Sequence, residues 1–449
     1  MALTDDDPRV AEVFAIGIGE CGSNLVGAYL KQARERMLPP RIRGYLCMNT
    51  DRSDIQKLRQ KYDIPKENTL LYGASDIGCG GNFTDGYNYV HDFKDVIMGQ
   101  LTQLGFEGVS GFVIFTSSGG GTGCGGAPAL IEILKERFQE EEGRRIFVYV
   151  FTVLPFKDQT SEALNTMWSL SKLLRGQLED RGADLVCLLS NRAMLRRILA
   201  WREGEVADFL QRQLQIDVGK INDVEGMVPS TVDGADDVSK AQESAFVELV
   251  NPLALRFVEH MLSPGVVEPG KEVFPTTDIA DYARKLDPIV VPCLYTDVSL
   301  IPSAGNVPTQ LKTMVKYAVE HCSFAEIGNE PGASSTYYNF SGTREFARAE
   351  YDPHIKQALR SYTAKGAAIT PCFISYEEEG HPTDLLLLLG LPQIPEIEDL
   401  VNSATELVDL HAGPSPLRRG WFKKSKGVSE EVLRASIRDV AELFNLEMK

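Results

Sequence analysis

The chain lacks any apolar run that could cross a bilayer: the longest, Leu385 to Leu389, is far shorter than the ~20 residues a helical span needs. Its beginning, MALTDDDPRV, is acidic where a secretion signal requires a basic start and an apolar stretch, so a cytoplasmic protein is expected. Paired cysteines are also missing. The eight thiols stand singly at 21, 47, 79, 124, 187, 293, 322 and 372 with no CxxC, which argues against a disulfide scaffold or a zinc site and for reduced cysteines. Cys21, Cys79 and Cys124 do fall in glycine-rich turns, but no histidine is near any of them, and a small side chain suits a crowded turn. The six histidines, at 91, 260, 321, 354, 381 and 411, form no triad or metal spacing, so neither a metal-ligating nor a catalytic role is assigned to them. Basic charge is scarce: 46 Lys and Arg against 63 Asp and Glu leave a net charge of -17, which speaks against non-specific binding of the body to nucleic acid or an anionic membrane. No Walker P-loop is present either. The nearest approach, Gly265 to Lys271, has Glu272 where a magnesium-binding hydroxyl must stand and follows a helical pattern instead of a strand.

What remains is a globular composition, 43% hydrophobic and 24% charged, over 449 residues, enough for two or three domains. The first 200 residues alternate apolar β-branched runs (EVFAIGIG, IRGYLCMNTD, GFVIFTSSGGG, RIFVYVFTVLP, ADLVCLLSN) with stretches of helical period. Strands that are apolar throughout and separated by helices predict a parallel sheet covered on both faces, and ligands of such sheets bind beyond the carboxyl ends of the strands. Residues 203 to 243 then hold ten acids against three bases and read as an acidic insertion with turn chemistry. A largely apolar pattern, AFVELVNPLALRFVEHML, predicts a buried connector helix over 246–265, with Pro252 in its first turn or kinking it. The predicted fold is therefore α/β: a nucleotide-binding parallel-sheet domain over 1–245, a connector helix, and a second α+β domain over 266–402. Residues 403–449 are expected to be a linker and an amphipathic helix. That tail carries Arg418, Arg419, Lys423, Lys424 and Lys426 around Trp421 and Phe422, then a Ser429-capped helix with Leu433, Ile437, Val440 and Phe444 on one face.

Two glycine-rich segments carry chemistry. Gly17-Ile-Gly19-Glu-Cys-Gly22 places GxGxxG on a strand-turn-helix, where backbone N–H groups approach phosphate at a helix N-terminus. Alone it would also suit a dinucleotide oxidoreductase, whose acidic ribose partner is answered here only by Asn49-Thr50-Asp51. Far more specific is Ser117 to Gly126, SSGGGTGCGG, after the fourth strand; its glycines and hydroxyl form a nest of N–H donors suited to a di- or triphosphate, opening a helix expected near Ala127.

GGGTGCGGAP resembles the signature loop of the tubulin/FtsZ superfamily of GTPases, and the surrounding pieces fall in that family's order. GIGECGSNLVG is similar to its first phosphate loop, NTDRSDIQKL to the FtsZ second loop, and GCGGNFTDG (Gly78 to Gly86) to the loop over the γ-phosphate. LPFKDQTSEALN mixes an FtsZ-like Pro155-Phe156 with Asp158 and Glu162 at the tubulin ribose acids, LSNRAML puts Asn191 at a guanine-reading position, and Thr277-Asp278-Ile-Ala-Asp281 resembles the synergy loop. KLDPIVVP and CSFAEIGN are tubulin-like. The resemblance spans roughly residues 10 to 400 and departs where Thr276 replaces the Asn that opens the synergy motif.

The resemblance implies GTP or GDP as ligand; Glu20, Asp51 and Asp76 are the acids nearest the phosphate loops, and at least one is expected to help hold Mg²⁺ through water, the alternative for each being a solvated loop acid, which is the better reading of Asp76. Phosphate contacts would come from Gly19, Glu20, Cys21, Asn49, Asp51, Gly80, Gly81, Asn82, Gly119, Gly120, Gly121, Thr122 and Gly123. Ribose contacts would come from Asp158 and Glu162, and guanine contacts from Asn24, Asn191 and either Asn251 or Glu248, with Asn251 the choice. Catalysis would rest on Asp278 and Asp281, presented by the next copy in a head-to-tail polymer, since in-line hydrolysis needs a carboxylate to orient water. Read without the family, the same two acids are an ordinary N-cap and first-turn pair. The alternatives are a GTP-binding scaffold or regulator with little hydrolysis and, in another class, the oxidoreductase. The tail's basic cluster could meet a membrane, an adaptor or a neighbouring subunit, or be a solvated linker; no nucleic-acid partner is expected.

Overall fold

The computed structural model describes residues 13–35, 42–155, 160–178, 182–194, 251, 255–265, 270–275, 279–297, 307–344, 346–377, 383–411 and 428–446. The acidic insertion, the basic cluster and the synergy-loop residues 276–278 lie outside them. The chain divides into two compact units, Val10–Leu188 with Ile394–Lys449, and Leu189–Gln393. Among the described residues no helix is long and apolar enough to cross a membrane.

In the first unit the expected alternation is realised as β1 (Val13–Ile18), α1 (Gly19–Glu35), β2 (Gly44–Asn49), α2 (Arg52–Tyr62), β3 (Thr69–Leu71), α3 (Phe83–Asp92), α4 (Lys94–Gln103), β4 (Gly111–Ser117), α5 (Gly121–Lys135), β5 (Phe147–Leu154), α6 (Thr160–Leu178) and β6 (Leu185–Ser190). The strand order is β3-β2-β1-β4-β5-β6. Every pairing from β3 through β5 is parallel. β1, β5 and β6 are buried at every residue, which only apolar strands covered on both faces can sustain. The chain runs outward from β1 to β3, then returns to place β4 on the other side of β1. This reversal opens a crevice beyond the carboxyl ends of β1 and β4, and both glycine-rich segments leave the sheet there.

The end of the chain departs from expectation. Residues 395–402 were assigned to the second domain and 403–411 to a linker, yet Pro395–His411 is one helix, α11 in chain order, and it belongs to the first unit. Its buried residues Ile397, Leu400, Val401, Ala404 and Val408 recur at helical spacing and need a partner, which α6 supplies. The last helix, α12 (Glu430–Leu443), packs on both α6 and α11, burying Leu433, Ile437 and Val440. Ser429 caps it, accepting from the Val432 N–H at 3.3 Å, as the sequence predicts. Ser171 Oγ on α6 donates to Asp439 Oδ2 at 2.6 Å, and Ser171 is 2% exposed. Replacing Ser171 with alanine is expected to lower stability by about 1.5–3 kcal/mol, the cost of a hydrogen bond to a charged group. Urea titration would show it as a reduced midpoint with unchanged slope, and an unaltered midpoint would mean that α12 does not depend on this bond.

The second unit contains α7 (255–262), β7 (Lys271–Phe274), α8 (Asp281–Lys285), β8 (Ile289–Asp297), α9 (Val307–His321), β9 (Ala333–Thr343), α10 (Asp352–Leu359), β10 (Thr363–Tyr376) and β11 (Thr383–Gly390). Its strands follow the order β8-β11-β9-β10-β7; β9 and β10 are parallel and the other pairs antiparallel. Leu311, Met314 and Val315 of α9 and Ile355 of α10 join Tyr338, Phe340, Leu387 and Leu389 in one core. Described over 255–262, the connector is apolar as expected, burying Leu255, Phe257, Val258, Met261 and Leu262. It also carries Arg256 and His260, whose Nη2 and Nε2 lie 3.4 and 3.2 Å from Asp384 on β11. Thr296 Oγ1 donates to the other Asp384 oxygen. Asp384 is fully buried. Burial alone would raise its pKa, but His260, Arg256 and these hydrogen bonds outweigh it and hold the carboxyl well below the usual range.

Candidate functional site

Gly19 ends β1 in the left-handed region (φ 74°) and starts α1 at once. A Cβ there would lie 3.1 Å from the Gly123 nitrogen, so the first glycine loop rests against the second. The second is organised differently from expectation: α5 begins at Gly121, not near Ala127. Its glycines serve helix packing as much as ligand access. A Cβ at Gly125 would meet the Phe83 carbonyl oxygen at 1.9 Å, and one at Gly86 on α3 would meet the Gly121 oxygen at 2.3 Å. Only glycine lets α3 and α5 approach backbone to backbone. At the head of α5, Gly120 provides no side-chain cap and the first turn holds no acid. The first-turn amides of Gly121, Thr122 and Gly123 have no intrahelical acceptor, and the helix dipole adds positive potential at that point. Such an uncapped, glycine-lined helix start at a sheet switch point is built for an anion.

A third loop closes over this position. Gly80 and Gly81 both have positive φ, and a Cβ on either would meet nothing within 4 Å. One at Gly121 would meet the Asn82 nitrogen at 2.7 Å and the Gly81 carbon at 2.9 Å, so the loop lies on the head of α5. Asn82 caps α3, accepting from the Thr84 N–H at 3.0 Å, and its amide donates to Asp85 at 2.9 Å. Three residues absent from the sequence-based site hold the loops together. Thr50 Oγ1 is 2.7 Å from Thr122 Oγ1 and 3.4 Å from Cys79 Sγ. Asn165 Nδ2 donates to both Gly119 O, at 2.6 Å, and Gly81 O, at 2.9 Å. Its signal in the sequence was the i+3 spacing from Glu162, which puts both on one side of α6.

The acids and amides sort by what already occupies them. Asn49 is 3% exposed; its Oδ1 accepts from the Thr50 N–H at 2.8 Å and its Nδ2 donates to Asp54 at 3.2 Å, so its side chain is engaged within the loop. Asp51 caps α2 by accepting from the Ser53 N–H at 2.7 Å and the Asp54 N–H at 3.3 Å. Hydrogen bonding from Ser53, with further help from Asp54 and Lys57, lowers its pKa against the effect of burial. Asp76 is ion-paired with Arg52. Glu20 is exposed and Cys21 and Asn24 half-buried in the first turns of α1. Glu162 lies against the signature loop: a Cβ at Gly119 would be 2.5 Å from its Oε2. Burial pushes its carboxyl up, an environment improved by any donor such as a sugar hydroxyl. Asp158 and Asp278 lie outside the described residues.

Asn191, Asn251 and Asp281 belong to the second unit. Asn191 directly follows β6, where Ser190 Oγ accepts from the Ala193 N–H at 3.0 Å, and Asn251 is 8% exposed. Asp281 opens α8, with Arg284 and Lys285 at 3.1 and 3.2 Å from its two oxygens.

Residues 12–198 match the family model described as Tubulin/FtsZ family, GTPase domain. Residues 12–198 are a tubulin/FtsZ-family GTPase domain. Among curated proteins, the chain is similar to the tubulin-like protein CetZ of Pyrococcus furiosus, 31% identical over 167 residues, or 35% of this chain and 41% of that one. CetZ1 of Haloferax volcanii is 29% identical over 147 residues, covering 32% of this chain and 35% of that protein. The chain thus spans less than half the length of these curated relatives. Fold similarity extends further. The structure titled CetZ2 from Haloferax volcanii, GTPgS bound protofilament, matches at TM-score 0.65 and 17% identity over 89% of this chain and 99% of that one. CetZ from Methanosaeta thermophila matches at 0.61 and 17%, covering 96% and 99%. The α/β fold beyond the GTPase domain is therefore tubulin/FtsZ-like as well.

Proposed function

We propose that the chain is a cytoplasmic, GTP-binding and GTP-hydrolysing filament protein that polymerises head to tail and acts in cell division or cell shape. The observation that carries this reading is the uncapped start of α5, enclosed by three glycine loops within a GTPase domain. The α5 amides and Gly19, Gly80, Gly81 and Gly119 would receive the phosphates, with Glu20, Cys21 and Asn82 at the rim. Asp158 and Glu162 would take the ribose, and Asn24, Asn191 and Asn251 the base. Mg²⁺ suits the donors present: Asp51 keeps Oδ2 beside Gly78 while its other oxygen caps α2, an arrangement that fits outer-sphere contact through water. Bound there, Mg²⁺ would offset phosphate charge. Asp278 and Asp281 of the next subunit would orient the attacking water.

The decisive experiment is phosphate release against protein concentration. Wild type should accelerate faster than linearly as subunits assemble, whereas Asp281→Ala should keep nucleotide binding and sedimentation but remain flat. An unchanged Asp281→Ala profile would remove the catalytic assignment. It would favour the second reading, a GTP-binding scaffold or regulator of a related filament with little hydrolysis, which Thr276 and the engagement of Asp281 by Arg284 and Lys285 support. Contact between the tail's basic segment and a membrane or adaptor is a further proposal from sequence.

A further inference from the structure

We propose that Asn165 is a positioning residue through which α6 sets the loop Gly78–Asn82 against the head of α5, making the site distinguish a triphosphate from a diphosphate. The inference rests on the reading of the site given above and adds a residue to it.

Asn165 is 6% exposed, and its amide nitrogen spends its two donors on two carbonyls, Gly119 O and Gly81 O. These belong to the two loops that meet at Gly121. The Asn165 carbonyl is engaged too, accepting from Cys124 Sγ of α5 at 3.0 Å. One residue later, Thr166 Oγ1 lies 3.1 Å from Ser118 Oγ. Three residues later, Trp168 packs at a tilt against Phe83, the first residue of α3, with ring centroids 4.6 Å apart. The loop is therefore gripped by α6 on both sides of Asn82, through Gly81 by hydrogen bond and through Phe83 by ring contact. A Cβ at Gly80 or Gly81 would meet nothing within 4 Å, so open space borders the loop at both residues while the Gly81 carbonyl is held. The peptide of that carbonyl is fixed on its other face as well, because its N–H, that of Asn82, donates to Cys79 O at 2.9 Å. By holding that closed turn to the Gly119 carbonyl, Asn165 sets where the preceding Gly80 and Gly81 amides lie relative to the head of α5, and the group that would reach them beyond the α5 amides is the terminal phosphate of a triphosphate. A diphosphate, held by the α5 and Gly19 amides, would depend on it much less.

Trp168 gives the test its own reporter. The chain has three tryptophans, so Trp201→Phe with Trp421→Phe leaves Trp168 alone. In that full-length background, affinities for GTPγS and GDP and the Trp168 emission in each complex would be measured for wild type, Asn165→Asp and Asn165→Ser. The aspartate is isosteric but cannot donate; the serine is too short to reach both carbonyls. Both are expected to weaken GTPγS roughly tenfold, as loss of one to two hydrogen bonds implies, and GDP by less than about threefold. The emission difference between the two complexes should vanish. Ser171→Ala, which loosens the same helix from α12, should lower the melting temperature and leave the affinity ratio intact. Equal weakening of both nucleotides in the variants, or an intact ratio and emission difference, overturns the proposal while leaving the GTP site standing. If Asn165→Asp fails to fold, Asn165→Ser carries the same decision. A wild-type chain that binds neither nucleotide overturns the reading of the site and this proposal with it.

Discussion

Gly125→Ala is expected to destabilise the first unit by about 3 kcal/mol or more, although alanine is the better helix former by about 1 kcal/mol. The added methyl would stand 1.9 Å from the Phe83 carbonyl oxygen and 2.6 Å from the Tyr87 nitrogen. Both atoms are backbone of α3, so no rotamer change relieves the clash and the whole helix must retreat from α5. Asn82, the cap of α3, would retreat with it, which couples the stability loss to nucleotide affinity. Gly99→Ala is the matched control: it lies inside α4 with nothing within 4 Å of the added Cβ, and should stabilise by roughly 0.5–1 kcal/mol. Urea denaturation of the two variants should therefore move in opposite directions. If Gly125→Ala matched wild type, the glycines of α5 could not be explained by close helix approach.

This contrast shows what local sequence carries. Strands β1, β4, β5 and β6 were legible because apolar β-branched runs between helical patterns have one economical solution, a covered parallel sheet. Gly19 and Gly119 to Gly123 were legible as close-packed loops at the edge of the sheet because glycine's backbone freedom is itself the signal. The start of α5 was misplaced for the same reason: a glycine run reads as a turn, and only packing against α3 makes it helical. Propensity is a weak prior that tertiary contact overrides. Asn165 escaped notice because its two partners are main-chain carbonyls 84 and 46 residues away in sequence. A carbonyl belongs to every residue type, so beyond the i+3 spacing from Glu162 nothing in the letters marks the pairing. In α11 the apolar spacing of Ile397, Leu400, Val401, Ala404 and Val408 does not disclose its destination, since periodicity names a face and never the surface that covers it. Asp384 was concealed in a similar way. It sits second in TDLLLLLGL, where an acid before an apolar run looks like the end of a turn, and its partners arrive from α7 and β8.

Asp384→Ala should cost about 3–5 kcal/mol, the usual penalty for removing one partner of a buried ion pair, because Arg256 and His260 would then face each other across the vacated space. Glu259, 3.9 Å from Arg256, is the other acid at this point and lies farther from the cation than Asp384 does. The pH dependence separates this electrostatic account from one of packing alone. Since the folded carboxyl is held below its unfolded value of about 3.9, ionised Asp384 contributes stability that is present above that pH and is lost as pH falls toward the lower folded value. The isosteric Asp384→Asn has no such carboxyl. Wild type should thus exceed Asp384→Asn by a margin that is fully present at about pH 5 and shrinks below about pH 4. Denaturant midpoints at several pH values would read this directly. A margin that persisted unchanged to pH 3 would mean that shape rather than charge holds α7 to β11. A negligible margin at neutral pH would mean that the cluster contributes no net stability, and its retention would then have to be sought in fixing the register of α7 on the sheet.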